Sequence, residues 1–488
     1  MKKYILILTA IVALSNTACR KIETDGQIQI VTINTGGGGG GSTTGQTITV
    51  EGRITADTTF RKGNTYVLRG LVYIANNKTL TIEAGTVVKG SFSGADVAAL
   101  IITRGAKIVA NGTANEPIVF TSASPNPQSG DWGGIIICGK APINTSFNGT
   151  AGLFEVEGGV NNASGDGLAG SGDAAVPTPV SNDSSGVLRY VRIEYAGYAF
   201  QPDKEINSLT MAAVGSKTVI ENVQTYLAKD DAFEWFGGTV NCRYLVAYKT
   251  QDDDFDTDNG YSGKVQFGLS IRDSVIADAS RSEAFESDNN AGGTTATPKT
   301  TVVFSNMTAI GPRAMASNTG SSLYRSGAHI RRNSEMSLFN SVIIGWPLAI
   351  DIDGTTGTAT GANVGVGLIL ANNFLGGNTD SVKYSAPGGS TYTTADLVNY
   401  FKTPANANTI LNGTLPVNLF IQPFNYSAPD PTPFGNAASI VGTLSPVVAR
   451  ASFAHPKVAD AFFIQTNFIG AIAPAGALAS WWKGWTRF

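Results

Sequence analysis

The sequence predicts an all-β chain: a right-handed, single-stranded parallel β-helix with long loop insertions and a short C-terminal capping segment. Three observations point to it. Short runs of alternating apolar residues flank single glycines, which reads as strand, corner, strand. Two such runs superpose at an offset of 20 residues, matching Leu80 with Leu100, Ile82 with Ile102, Gly85 with Gly105 and Val88 with Ile108. Further on, the apolar anchors Val223, Leu245, Val275, Met307 and Val342 recur at offsets of 22, 30, 32 and 35, as loops of changing length between constant coils require. Internal repetition of this kind is the signature of a solenoid, whose coils stack at about 4.8 Å and bury one another.

The N-terminus reads as an address. Lys2 and Lys3 precede an apolar run from Tyr4 to Leu14, followed by small and polar residues and then Cys19. A basic start, a short apolar stretch and a small residue at the cut form a secretory signal over residues 1–18. A cysteine directly after the cut resembles a bacterial lipoprotein signal, so Cys19 is the expected lipidation site, although Asn16 stands where leucine is usual. Several acyl chains on that cysteine would hold the chain at a membrane. Residues 19–46, with six consecutive glycines at 36–41, read as a flexible tether.

The β-helix is expected over residues 47–360. Residues 145–185, rich in Gly, Asn, Ser and Asp, interrupt the repeats and read as one long insertion. Residues 361–488 form a C-terminal extension. Within it, the run from Thr393 to Lys402 carries an N-cap signal and reads as one short helix. The closing run Trp481-Trp482-Lys483-Gly484-Trp485-Thr486-Arg487-Phe488 is too aromatic for a solvated tail and is expected to pack on the body or cap the last coil.

Composition narrows the function. Charged residues are 15% of the 488 and the net charge is −3, which argues against a nucleic-acid partner, since that needs a basic face. No apolar run reaches the ~20 residues of a membrane-spanning helix. With two histidines, His329 and His455, a multi-histidine metal centre is excluded, and both read as structural. Three cysteines make no disulfide framework; Cys138 and Cys242 lie in strand-like sequence and read as buried thiols, or as a bridged pair if their Cα atoms come within about 7 Å.

Charge is concentrated instead of spread. Between Lys229 and Asp288 there are 13 acidic and 6 basic residues. Ten residues after each anchor come Phe233, Phe255, Phe285, Ser317 and Ile352, and next to them Glu234, Asp256, Glu286, Asn318 and Asp353. The first set reads as a ladder facing in. The second reads as a mostly acidic ladder facing out. Carboxylates stacked about 5 Å apart cannot all ionise uncompensated. A calcium ion would solve this, because it takes 6–8 oxygen ligands. The candidate metal ligands are Glu234, Asp256 and Glu286, with Asp253 and Asp254 from the acidic run Asp252–Asp258. That run is no EF-hand loop, since Thr257 occupies the place of the required glycine. Arginine pairing is the alternative, and Arg313, Arg325, Arg331 and Arg332 lie in an acid-free stretch nearby. Trp235, Tyr248 and Tyr261, with Arg325, Arg331 and Asp353, are the candidate ligand contacts, because aromatic faces suit sugar rings; internal packing is the competing reading for each aromatic.

Three motifs add a resemblance. The run from Gly130 to Asn144 (Gly-Asp-Trp-Gly-Gly-Ile-Ile-Ile-Cys-Gly-Lys-Ala-Pro-Ile-Asn), Asp230-Asp-Ala-Phe-Glu-Trp-Phe-Gly-Gly238 and the closing Gly-Trp-Thr-Arg-Phe are similar to those of a family of Bacteroidota β-helix lipoproteins. The resemblance implies a surface-exposed outer-membrane lipoprotein, its body projected from the lipid by the tether; it supplies no catalytic residues. The expected role is a non-catalytic accessory that binds a glycan or nutrient, or a partner of an outer-membrane uptake complex. The enzyme alternative is a calcium-assisted polysaccharide lyase or glycoside hydrolase on the same face, with Arg325, Arg331 or Lys249 as base. The hydrolase motif Gly-His-Gly is absent from the sequence. A structural or adhesive envelope protein is the third reading.

Overall fold

Parallel pairing of strands far apart in sequence builds the whole body. The computed structural model describes residues 45–201, 204–313, 320–411, 420–434 and 450–488, together with the backbone of the strands Ala18–Thr24 and Gln27–Asn34. The chain winds as a parallel β-helix with three walls. The first wall stacks Ala99–Ile102, Gly134–Cys138, Leu209–Ala212, Phe233–Phe236, Phe255–Asp258, Phe285–Ser287, Ser326–Ile330, Leu348–Asp353 and Asp380–Ser385, each parallel to the next. The long strands Gly186–Glu194, Val219–Tyr226, Asn241–Tyr248, Lys264–Ile271 and Val303–Ile310 bend in the middle and supply the other two.

The bend has a backbone cause. Tyr190, Asn222, Tyr244, Phe267, Asn306, Asn340 and Asn372 occupy it in successive coils, and all have positive φ. Asparagine tolerates this left-handed conformation better than most residues. Inside, alternate residues of each wall meet in one apolar core. Phe233, Phe255 and Phe285 stack with centroids 5.7 and 5.3 Å apart, so the expected inward ladder is present.

The 20-residue repeat means something other than one coil. Leu80 stacks on Ile108, whereas Leu100 stacks on Val72 and Ile135. The matching segments are therefore strands of different walls, alike because every wall obeys the same in–out rule at a glycine corner. Gly85 and Gly105 have φ of 77° and 84°. Val275 is likewise no anchor: Gly268 occupies that rung between Leu245 and Met307, and Val275 is exposed.

Both ends extend beyond the expected boundaries. The stack does not stop at 360, because Asp380–Ser385 pairs with Leu348–Asp353 and Thr409–Leu411 pairs with Phe374–Gly376. The helix Thr394–Lys402, with a capping box between Thr393 and Asp396, buries Leu397 and Phe401 in the main core near this end. At the other end, residues 18–34 are not all tether: Ala18–Thr24 and Gln27–Asn34 form an antiparallel hairpin that adds to Thr47–Ile54. Residues 1–17 of the expected signal at 1–18 and the glycine run at 36–41 lie outside the described residues.

The C-terminal segment lies along the body. Trp482 and Trp485 are buried against Tyr190, Val246 and Tyr248, and Arg487 pairs with Glu194 at 3.0 Å. Buried polar side chains fasten it: Gln266 donates to the Ile464 carbonyl at 2.8 Å and Asn340 to that of Ser452 at 3.0 Å. Among the described residues no helix is long and apolar enough to cross a membrane.

Candidate metal centre

Outward residues of the first wall fall into one row. Arg53, Tyr73, Ile101, Ile136, Thr210, Glu234, Asp256, Glu286, His329, Asp351 and Lys383 take the same register position in successive coils. The insertion at 145–185 packs Val156, Val160 and Ala169 over the apolar rungs Tyr73, Ile101 and Ile136. From Glu234 on, the row is ionisable. The expected ladder Glu234–Asp256–Glu286 is therefore real, but its continuation differs. Ser317 and Asn318 lie outside the described residues, Ala328 and His329 hold those rungs, and Ile350 and Asp351 hold the next in place of Ile352 and Asp353. The loop before His329 is longer than constant spacing allows.

The corner before this wall carries a second acidic line. Asp231 donates its amide to Asn207 Oδ1, Asp231 Oδ1 accepts the Asp253 amide at 2.9 Å, and Asp253 Oδ1 accepts the Glu283 amide at 2.6 Å. Each acid thus caps the coil above it. The spare oxygens of this line meet the outward row. One carboxylate oxygen from each of Asp231, Glu234 and Asp256 lies within 4.8 Å of the others, and the same holds for Asp230, Asp231 and Asp252. A cavity of about 320 Å³ lined by Glu205, Lys229, Asp230, Asp252, Asp278 and Ser280 opens beside them.

These acids are under electrostatic strain. Burial and then neighbouring carboxylates push Asp230, Asp252 and Asp258 up to about 8. The same causes hold Asp231, Glu234, Asp253 and Asp256 well above the ordinary carboxylate range. Glu234 accepts a hydrogen bond from Asn207 Nδ2, but Asp256 Oδ1 is buried with no hydrogen-bond partner among the described residues. A purely oxygen donor set with an unsatisfied buried oxygen suits a hard cation of the calcium type.

The far half of the row is compensated internally. Glu286 pairs with Arg331, and Asp288 with Arg331 at 2.8 Å and Arg332 at 2.7 Å. His329 places Nδ1 3.3 Å from Glu286 and 3.4 Å from Glu283, and Nε2 3.3 Å from Asp353. Burial works against its charge, yet hydrogen bonds to Asp353, Glu283 and Glu286 outweigh that and raise it to about 10. The three carboxylates around His329 thus favour its protonated form. Glu286, expected as a metal ligand, already has its counter-charges, which hold it low against the opposing effect of burial.

Several expected roles change once burial is known. Asp254 is fully buried in an ion pair with Arg272 at 2.9 Å, so its charge is met inside the coil and not by a cation in the groove. Asp253 is engaged as a corner cap. Trp235 and Tyr261 stack on each other in the core, centroids 5.3 Å apart, and neither reaches solvent. Tyr248 is covered by the C-terminal segment, donating to the Tyr426 carbonyl and meeting Phe488 edge-on. None of the three aromatics faces outward from the first wall: Trp235 and Tyr261 point into the core, and Tyr248 lies beneath the C-terminal segment. Arg325 lies 3.0 Å from His329 Nδ1 and 3.8 Å from Glu283, Arg331 holds two carboxylates, and Lys249 pairs with Asp273 at 3.2 Å. Asp353 remains at the groove, on His329. Trp132 plugs its corner, donating to the Glu194 carbonyl at 2.8 Å. Cys138 and Cys242 are buried free thiols, and His455 packs on Phe339. Asp231, Glu283, Asp288 and Asp351 were missed as site members. Their only sequence signal was membership of the acidic zone or a place near the basic stretch.

A three-walled parallel β-helix with an acidic cluster on one wall is the class of protein defined by this fold and site. The chain belongs to the family of the pectate-lyase like beta helix domain, whose pattern matches residues 52–413. The match ends close to the last stacked strand at Leu411 and leaves out the strap that follows. No curated protein and no solved structure matches the chain.

Proposed function

We propose that the protein is a cell-envelope lipoprotein, anchored through Cys19, whose acidic cluster holds a calcium ion and with it presents a non-catalytic binding site for a glycan. The observation that carries this reading is the convergence of Asp231, Glu234 and Asp256 on one point, with the Asp256 oxygen unsatisfied. A bound divalent cation would offset three like charges at once and leave coordination positions open to ligand oxygens. Membership of the pectate-lyase like family is compatible with a polysaccharide as ligand. Binding is favoured over lyase chemistry because Arg325, Arg331 and Lys249 are each engaged with a carboxylate instead of facing the acidic triad. A role beside an outer-membrane uptake complex would use the same site to collect glycan.

Calorimetric titration of the full chain with calcium chloride tests the reading. Saturable binding that weakens at least tenfold in Asp256→Asn is the expected result. A wild-type chain that takes up no calcium would overturn it. Glycan arrays probed with calcium and with chelator then identify the ligand, and release of unsaturated or reducing sugar from a bound polysaccharide would replace the accessory reading with the enzymatic one.

A further inference from the structure

A second, chemically opposite pocket lies at the basic end of the same row. Its volume is about 410 Å³, within the range of small-molecule sites. One side is the β-helix wall, with Arg53, Asn76, Arg104 and Lys140; the other is the insertion, with Asp166 and Ser164. The insertion is pinned there by two ion pairs. Arg53 Nε contacts Asp166 at 3.1 Å, and Arg104 grips Asp173 through both terminal nitrogens at 3.1 and 2.5 Å. The pocket is thus built by tertiary packing and does not depend on loop closure.

These pairs leave cationic capacity unused. Asp166 consumes only the Nε of Arg53, and no hydrogen bond to the Arg53 terminal nitrogens occurs among the described residues. The Lys140 ammonium has no ion pair there either; Asp183 accepts only the Lys140 backbone amide, at 3.2 Å. Among the described residues the Asn76 carboxamide makes no hydrogen bond either. Gly105 shows that these groups converge: a Cβ added there would lie 2.3 Å from Asn76 Oδ1 and 3.0 Å from Lys140 Nζ. A glycine at φ 84° keeps that point open. Free cationic donors beside amide groups, in a cavity of this size, match a carboxylate carried on a polyhydroxylated body.

We propose that this pocket binds a sugar acid, its carboxylate between Arg53 and Lys140 and its hydroxyls on Asn76 and the neighbouring polar groups. The site is separate from the acidic cluster. Arg53 and Glu234 are five coils apart on the row, about 24 Å at the usual strand spacing. It needs no metal, so it stands or falls independently of calcium binding.

The test is calorimetric titration of the full chain in chelator with D-glucuronate, D-gluconate, D-glucose and inorganic phosphate. Both sugar acids should bind at least tenfold more tightly than glucose or phosphate. Lys140→Gln should weaken them at least tenfold while Lys140→Arg retains binding, with both variants melting as wild type. Arg53→Lys provides a second variant that keeps the charge paired with Asp166 yet removes the guanidinium fork, and it should also weaken binding. Failure of the wild type to bind either acid overturns the proposal. So does equal binding of glucose, equal binding of phosphate, or indifference to Lys140→Gln.

Discussion

Glu234 and Asp256 are register partners on adjacent parallel strands, and among the described residues neither makes an ion pair with a cation. Burial and the Asp256 charge together hold Glu234 in its protonated form far above the usual range. Two coils further on, Glu286 has the same register position but meets His329 and Arg331. One row thus contains an uncompensated half and a compensated half.

Neutralising the first half should strengthen the apo fold while destroying the ion site. Glu234→Gln should raise stability in chelator at alkaline pH, since it removes an acid whose charge is opposed by burial and by Asp256. The same variant should lose its thermal response to calcium. Denaturant melts with and without calcium check both. A destabilised Glu234→Gln chain in chelator would mean that the carboxylate is already satisfied.

Stability should fall with rising pH where ordinary acids would raise it. Asp230, Asp252 and Asp258 titrate near 8 when folded and near 4 when unfolded, so the folded chain holds more protons between those values. Melting temperature in chelator should therefore decline from pH 5 to pH 8. Calcium should flatten that decline, because a native-state ligand at 100 times its dissociation constant adds about 2.7 kcal/mol. His329 contributes at the alkaline end, its stabilisation complete below about 6.5 and lost as pH passes about 10.

Asp254 and Arg272 are both fully buried, and the ring of Tyr324 lies 5.3 Å from the Arg272 guanidinium carbon. Removing one partner strands the other. Arg272→Met or Asp254→Ala alone should cost about 3–5 kcal/mol, whereas the paired replacement Arg272→Met with Asp254→Leu should recover much of the loss. A double-mutant cycle by urea unfolding measures the coupling. Additive losses would show that the ion pair is not the reason for the cost.

Neither Cys138 nor Cys242 should react with a maleimide at pH 8 in the native chain. Burial pushes both thiols up to about 12, leaving almost no thiolate. Both should label once the chain is unfolded, without prior reduction. Mass spectrometry reads the count, and a requirement for reductant would reveal a bridge.

Trp235→Ala should cost about 3–5 kcal/mol of stability, as large-to-small changes in a packed core do. It should leave calcium affinity within a few fold of wild type wherever the variant folds. A selective loss of ligand binding at full stability would return Trp235 to the groove.

The solenoid itself was legible because its rule is local: alternation and glycine corners repeat in every coil, so Phe233, Phe255 and Phe285 could be lined up, and Glu234, Asp256 and Glu286 with them. The register broke at the first loop whose length varied freely. The chain alone carries no signal for how many residues a loop spends outside the stack, which is why Asn318 was aligned where His329 stands and the end was set at 360 instead of 411. The in–out sense of the aromatics was also undecided, because Trp235 is two residues from Phe233 and a strand's period of two puts both on the same side; only the position of the core settled which side that is. Sequence alone determined the wall and its acidic character. Tertiary structure decided which acids have a counter-charge, since Arg331, Arg332 and His329 reach Glu286 and Asp288 across more than 40 residues of chain, while among the described residues the triad of Asp231, Glu234 and Asp256 makes no ion pair. Charges of one row screen each other only at contact distance, and contact distance is set by the stacking of coils and not by the order of residues along the chain.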